Sequence, residues 1–229
     1  MESLVKFIAR VSALPRRSAE LLIREGSVTV NDLTATSPSQ QIVPSDRIAV
    51  HGKVLSDHEI KVYIALHKPD GYISDLKDPR GRKLARDLIK HSLRLFPVGR
   101  LDYHSEGLMI FTNDGELANT VMHPRYNITK EYLVKFKGIL DRRAIEQMKT
   151  GIRVDNDLLR AETVRLAKKS LANVWYRIVV NEGKNRMIRK MATALGHPVL
   201  KLIRVRIGKL TLGDLNPGEY RHVEKNEII

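Results

Sequence analysis

The sequence predicts an α+β protein in two parts: a small helix–helix–strand module at the N-terminus, then a larger body built on a mixed, mostly antiparallel sheet flanked by helices. Three observations carry this. Apolar residues recur at helical spacing in two short segments before Gly26 and at strand spacing directly after it. Beyond residue 60, apolar runs of strand length follow one another through polar turns, with only short helical stretches between them. Residues 53–60 are polar and have neither period, which suits a linker and divides the chain into residues 1–58 and 59–229.

Taken in order, residues 3–11 align Leu4, Phe7, Ile8 and Val11 on one helical face, and residues 16–25 align Ala19, Leu22 and Ile23. Pro15 opens the second helix and Gly26 stops it. Val28 to Asn31 alternates as a strand, and Asp46 to Gly52 reads as a strand running into a turn. Val62 to Leu66 is a buried strand followed by a Lys68-Pro69-Asp70-Gly71 turn, and residues 75–83 form a polar loop. A helix is predicted over residues 116–122. Residues 129–138 alternate strictly, with Tyr132, Val134 and Phe136 on one face and Leu133 and Lys135 on the other. Asp141 caps a helix reaching residue 150, and strands follow at 161–167 and 173–180. Ile188, Met191, Ala192 and Leu195 mark a helix stopped by Gly196, and a buried segment from Val199 ends in Arg204-Val205-Arg206-Ile207-Gly208.

Composition narrows the function. The 229 residues carry a net charge of +14. Residues 1–60 hold seven Lys and Arg against seven Asp and Glu, so the whole excess lies beyond them. Such a surface attracts polyanions, nucleic acid first among them. With no cysteine, disulfides and thiolate metal sites are excluded, and the eight histidines lack ligand spacing, so no metal and no cofactor is expected. No apolar run approaches the roughly 20 residues of a membrane span, and the charged N-terminus is unlike a signal peptide; a cytoplasmic protein is expected.

Two stretches carry chemistry. Gly99-Arg100-Leu101-Asp102-Tyr103-His104-Ser105-Glu106-Gly107 lies between apolar runs at 95–98 and 108–111, as a loop held between two buried strands. It would present Arg100 and Asp102 at the rim of a sheet, although an Arg-x-Asp pair by itself is also what a solvated ion pair or an Asx turn looks like. Asp102, Glu106 and Asp114 could be drawn as a metal cluster, but Asp114 lies beyond a whole apolar run and suits a turn or cap better. In Asn181-Glu182-Gly183-Lys184-Asn185-Arg186-Met187-Ile188-Arg189-Lys190, a Gly turn precedes four cations and a helix start, which composes a phosphate-binding patch of Lys184, Arg186, Arg189 and Lys190.

The Gly99–Gly115 stretch resembles the signature of the RsuA/RluB/RluE/RluF group of pseudouridine synthases, in which the position of Asp102 is the catalytic aspartate. The resemblance makes Tyr132, in its Lys-x-Tyr-Leu-Val run, the active-site tyrosine and Arg189 the basic partner of Asp102. Met187 stands where the family usually has Gln, and His67 where it has Asn before Lys-Pro. The N-terminal module resembles the small RNA-binding domain of the S-four type, through Arg16-Arg17 and Ala19 to Gly26. It has Asn31-Asp32 in place of the common Asn-Gly. Lys6, Arg10, Arg16, Arg17 and Arg24 are its candidates for RNA contact, or else ordinary solvated helix charges balanced by Glu20 and Glu25.

What the resemblance implies is isomerisation of a uridine in ribosomal RNA, large-subunit in preference to small-subunit, by a monomer acting on naked RNA or on an assembly intermediate. Burial favours the neutral form of a carboxyl group, so a reactive carboxylate beside the sugar needs a cation such as Arg189. Arg100 would fill the space of the flipped base or hold its phosphate, and Tyr132 would stack on the base or help remove the C5 proton. Arg204 and Arg206 face RNA or serve the structure. The alternative is a non-catalytic ribosomal-RNA-binding or ribosome-assembly protein on the same fold, which leaves Asp102 in a basic groove without a purpose.

Overall fold

The protein is described by a computed structural model covering residues 2–12, 14–56, 60–170 and 173–229. Its contacts divide the chain into two compact units, Met1–Lys61 with Ser92–Arg94, and Val62–His91 with Leu95–Ile229. The middle of the expected linker, Asp57 to Glu59, lies outside the described residues. Its start is not a linker: Lys53 and Val54 pair as a strand with Val50 and Ala49, because the turn at His51-Gly52 folds them back. Among the described residues no helix is long and apolar enough to cross a membrane.

The first unit runs β1 (Glu2–Ser3), α1 (Leu4–Val11), α2 (Arg16–Arg24), β2 (Val28–Val30), β3 (Leu33–Thr34), β4 (Gln41–Ile42), β5 (Ile48–Val50) and β6 (Lys53–Val54). Leu4, Ile8, Ala19 and Ile23, the helical stripe of the sequence, close on Val28, Val30 and Ile48 of the sheet β3-β2-β5-β6. Asn31 and Asp32 both take positive φ, 51° and 66°. This is the tight-hairpin geometry that Asn-Gly adopts readily, and Asn and Asp are the non-glycine residues that tolerate it. Asn31 Oδ1 accepts from Arg47 N at 2.9 Å, and Asp32 pairs with the Arg47 guanidinium at 2.7 Å, which offsets the missing glycine.

The second unit begins with β7 (Tyr63–Lys68), β8 (Phe96–Val98), β9 (Glu106–Thr112) and α3 (Gly115–Met122). It continues through β10 (Lys130–Phe136), α4 (Arg142–Thr150), β11 (Ile152–Val154), β12 (Asp157–Leu159), β13 (Thr163–Ser170) and β14 (Asn173–Val180). It closes with α5 (Met187–Ala194), β15 (Val199–Ile207), β16 (Leu210–Thr211), β17 (Tyr220–His222) and α6 (Lys225–Ile228). Asp114 and Asp141 cap α3 and α4, Asp114 accepting from the backbone N–H groups of Glu116 and Leu117 and Asp141 from that of Ala144. The Lys68 turn of the sequence reading starts one residue later, since Lys68 is the last residue of β7. The β11–β12 hairpin and β16, β17 and α6 carry no sequence signal, because two- to four-residue elements are too short to show a period.

The sheet order is β13-β14-β10-β15-β9-β7-β17, with β16 beside β15 and β8 beside β9. Among the described strands of this sheet every pairing is antiparallel except β9 with β15, which is parallel and spans only Glu106–Gly107 against Ile203–Arg204. This short seam joins two cores. On one side Val134, Phe136, Tyr176, Ile178 and Leu202 pack with α4 and α5. On the other, Leu108 and Ile110 pack with α3 and α6. Ile203 shares a face with Glu106, and so with Leu108 and Ile110, whereas Leu202 points the opposite way, so the two cores lie on opposite faces.

The seam tolerates only glycine at residue 107. Gly107 has φ of +108°, and a Cβ there would lie 2.3 Å from Arg204 O and 2.5 Å from Arg204 N. Gly107→Ala should therefore force β9 and β15 apart and lower stability by about 3 kcal/mol or more. Gly115→Ala, at a helical position with open space around it, should be neutral or stabilising by about 0.5–1 kcal/mol. Denaturant midpoints of the two variants check both values.

Candidate active site

The seam brings the loop between β8 and β9 next to α5, and the loop is fixed by its carbonyls. Lys68 Nζ donates to Pro69 O at 2.9 Å, to Tyr103 O at 3.4 Å and to Ser105 O at 2.6 Å. Ser74 Oγ donates to Leu101 O at 2.6 Å and accepts from Leu101 N at 3.0 Å, replacing a strand partner. Arg204 reaches Leu108 O from Nε at 2.8 Å and Arg100 O from Nη1 at 3.5 Å. Arg189 Nη2 donates to His104 O and, at 3.2 Å, to Ser105 Oγ. With Ser105 N on Asp102 O at 3.1 Å, every carbonyl from Arg100 to Ser105 has a donor.

What the loop holds up is Asp102. Its side chain is 26% exposed, and Arg186 Nη1 and Arg189 Nε each lie 3.6 Å from Oδ2. That is ion-pair distance without a hydrogen bond. Arg189 Nε is buried and has no hydrogen-bond partner among the described residues. Burial lowers the Arg189 pKa, opposed by the charge of Asp102 and reinforced by that of Arg186. Arg186 reaches Asp102 because it ends the preceding turn in the left-handed conformation, φ 50°, immediately before α5. The family resemblance pairs Asp102 with Arg189, and the sequence places Arg186 in the phosphate-binding patch; the structure brings both to the carboxylate.

Asp102 opens onto a cleft of about 670 Å³, within the size range of small-ligand sites. Tyr132, Lys130, Val180, Leu202, Met187 and Ile207 line it. Tyr132 lies on the core-facing side of β10, half-buried, and its hydroxyl makes no hydrogen bond with a described residue. Met187 is buried in the core in addition to lining the cleft. Lys130 donates to Val121 O at 3.2 Å, and burial, with Arg204 nearby, pushes its pKa down to about 8.

The other predicted cations are dispersed. Arg100 is exposed, 3.8 Å from Asp75, and does not reach Asp102. Lys184 pairs with Asp157 and Glu182, and Lys190 with Asp155, so both brace the β11–β12 hairpin. Arg204 is 4% exposed, with Nε given to Leu108 O of β9, Nη1 to Arg100 O of the loop, and Nη2 beside the cleft without a hydrogen-bond partner among the described residues. Arg206 is bound to Glu131, Thr129 Oγ1 and Gly208 O. Both side chains make these contacts within the protein. In the N-terminal unit Lys6, Arg16 and Arg17 are exposed, Arg24 pairs with Glu20, and Arg10 pairs with Glu2 and lies over the Phe7 ring. Asp114 is spent on capping α3, and no group of three or more His, Asp or Glu side chains able to hold a metal occurs among the described residues.

Sequence reasoning gave no role to Lys68 or Ser74. Lys68 stands in a Lys-Pro pair that could have drawn attention; Ser74 had no signal, because its importance comes from lying opposite Leu101 across 27 positions.

Known proteins resemble this chain along its length. The family described as RNA pseudouridylate synthase matches residues 62–194, and the S4 domain matches residues 2–48. The ribosomal large subunit pseudouridine synthase B of Bacillus subtilis is 39% identical over 232 residues, covering 100% of this chain and 94% of the relative. An uncharacterized RNA pseudouridine synthase of Aquifex aeolicus is also 39% identical, covering 97% and 90%. A crystal structure of a pseudouridylate synthase superposes with a TM-score of 0.67 at 29% identity, over 99% of this chain and 98% of that one.

Burial also pushes the Lys68 pKa down, from 10.5 to about 8. Between these values the folded protein has released the proton and the unfolded chain still holds it, so the unfolded state binds more protons and stability rises with pH. The cost of burying the charge is in full force below pH 8 and vanishes above about 10.5. Lys68→Met and Lys130→Met should each flatten the rise in denaturant midpoint measured between pH 8 and 10.5.

Proposed function

Because the chain belongs to the RNA pseudouridylate synthase family, we propose that it converts one uridine of large-subunit ribosomal RNA to pseudouridine, with Asp102 as the reactive carboxylate. The observation that carries this reading is a carboxylate that accepts no hydrogen bond from a described residue, faced by two guanidiniums at 3.6 Å and open to a cleft of nucleotide size. Phosphate binding alone would gain nothing from that carboxylate.

The reaction is an isomerisation. The bond from ribose C1′ to N1 breaks, the uracil turns in the cleft, a bond forms from C1′ to C5, and the proton lost from C5 is balanced by one gained at N1. It needs no oxidant and no energy carrier. Attack on the sugar and proton abstraction from the ribose both draw on the same unprotonated carboxylate, beside which the guanidiniums of Arg186 and Arg189 stand at 3.6 Å. The target must leave its helix stack at a cost of a few kcal/mol. Stacking on Tyr132 returns about 1–3 kcal/mol. Exposed Lys6, Arg16 and Arg17 of the N-terminal unit, read as an S-four-type RNA-binding domain, meet flanking RNA phosphates. The enzyme acts as a monomer, on naked RNA or on an assembly intermediate.

A pseudouridine map of ribosomal RNA from cells lacking the protein tests this. One large-subunit uridine should lose its modification, wild type should restore it, and Asp102→Asn should not; an unchanged map would overturn the reading. With purified protein, Arg189→Met should lower kcat about 100-fold or more while RNA affinity changes only a few-fold, as expected for an electrostatic role at the reacting centre. Tyr132→Phe separates two duties: full turnover leaves stacking alone, whereas loss of turnover with unchanged RNA affinity assigns the hydroxyl to proton transfer.

A further inference from the structure

The face of β13, β14, β10 and β15 that looks away from the cleft holds cations in register. Lys168, Trp175, Lys135 and Lys201 lie side by side across the four strands. Arg165, Arg177, Leu133 and Ile203 form the neighbouring row. These residues alternate with Val134, Tyr176, Ile178 and Leu202, which fill the core, so their side chains point to the other face. Trp175 and Leu133 are half-buried and belong to neither core.

This arrangement is unfavourable to the free protein. Arg165 lies directly opposite Arg177, and Lys135 directly opposite Lys201, and like charges opposed across strands repel. Glu131 answers Arg177 and Glu106 answers Lys201. Arg165, Lys135 and Lys168 form no ion pair with any described residue. A polyanion laid across the face would relieve the repulsion. Trp175, flanked by Lys168 on one strand and Lys135 on the other, offers a flat ring in the middle of the charge. Cations around an aromatic platform suit single-stranded nucleic acid, whose bases stack while its phosphates pair.

We propose that this face is a second RNA-binding surface, in which phosphates meet Lys168, Lys135 and Arg165 and an unpaired base stacks on Trp175. The inference rests on the reading that the substrate is RNA. It adds a contact on the side of the sheet opposite Asp102, so an RNA that reaches both faces binds more tightly than one that fills the cleft alone.

Trp175 is the single tryptophan of the chain, so its fluorescence reports on this face without a label. The full-length protein is titrated with a single-stranded oligouridylate, following Trp175 emission and, in parallel, the anisotropy of the same oligomer carrying a dye. Emission should fall in step with anisotropy. Lys135→Ala with Lys168→Ala should raise the RNA concentration for half-quenching about tenfold and lower the slope of log affinity against log salt by about two. Arg165→Ala alone should act in the same direction and provides a milder variant. A rise in anisotropy with unchanged emission, or a half-quenching concentration unaffected in all variants, overturns the second surface and leaves the synthase reading standing. Equal quenching by polyglutamate overturns it in favour of an acidic protein partner. No anisotropy change with any RNA overturns the RNA reading and this inference together.

Discussion

A buried ammonium, a buried guanidinium and a half-buried one hold the loop that presents Asp102. Lys68, Arg189 and Arg204 place their donors on backbone carbonyls, so the loop needs no regular structure of its own to be rigid. Taking these cations out of water is costly unless their hydrogen bonds are met. Here the carbonyls meet most of them, and the two donors left over, Arg189 Nε and Arg204 Nη2, are beside Asp102 and the cleft. The charge beside Asp102 is thus also the charge that secures the geometry of its loop.

That arrangement depends in turn on a seam of two residue pairs. Gly107 lets β9 approach β15 closely enough for Arg204 to bind Leu108 O of β9 and Arg100 O of the loop. The same seam divides the cores between opposite faces, so α5 with Arg186 and Arg189 stands on the Asp102 side while α3 and α6 stabilise β9 from behind.

The basic excess is correspondingly spread. Some cations are consumed internally: Arg206 by Glu131, Lys184 and Lys190 by the acids of the β11–β12 hairpin. Others converge on Asp102, and others form the like-charged rows of the open sheet face. Net charge therefore identifies a polyanion partner without locating where it binds.

The sequence by itself determined the α+β class, both helices of the first unit, the alternating strand over Tyr132, the caps at Asp114 and Asp141, and the motif around Asp102, because each is a local pattern of period, turn residue or spacing. It could not supply the seam, the β11–β12 hairpin or the C-terminal strands, which are too short to have a period and exist only through partners distant in the chain. Nor could it tell which cations do what. Arg186 and Arg189 differ from Lys184 and Lys190 only by where one left-handed residue and a helix start aim them, and Lys68 and Ser74 matter only because folding sets them beside carbonyls more than 25 residues away. Local chemistry is written in residue order, whereas the pairing of charges is a matter of distance, and distance is decided by the tertiary fold.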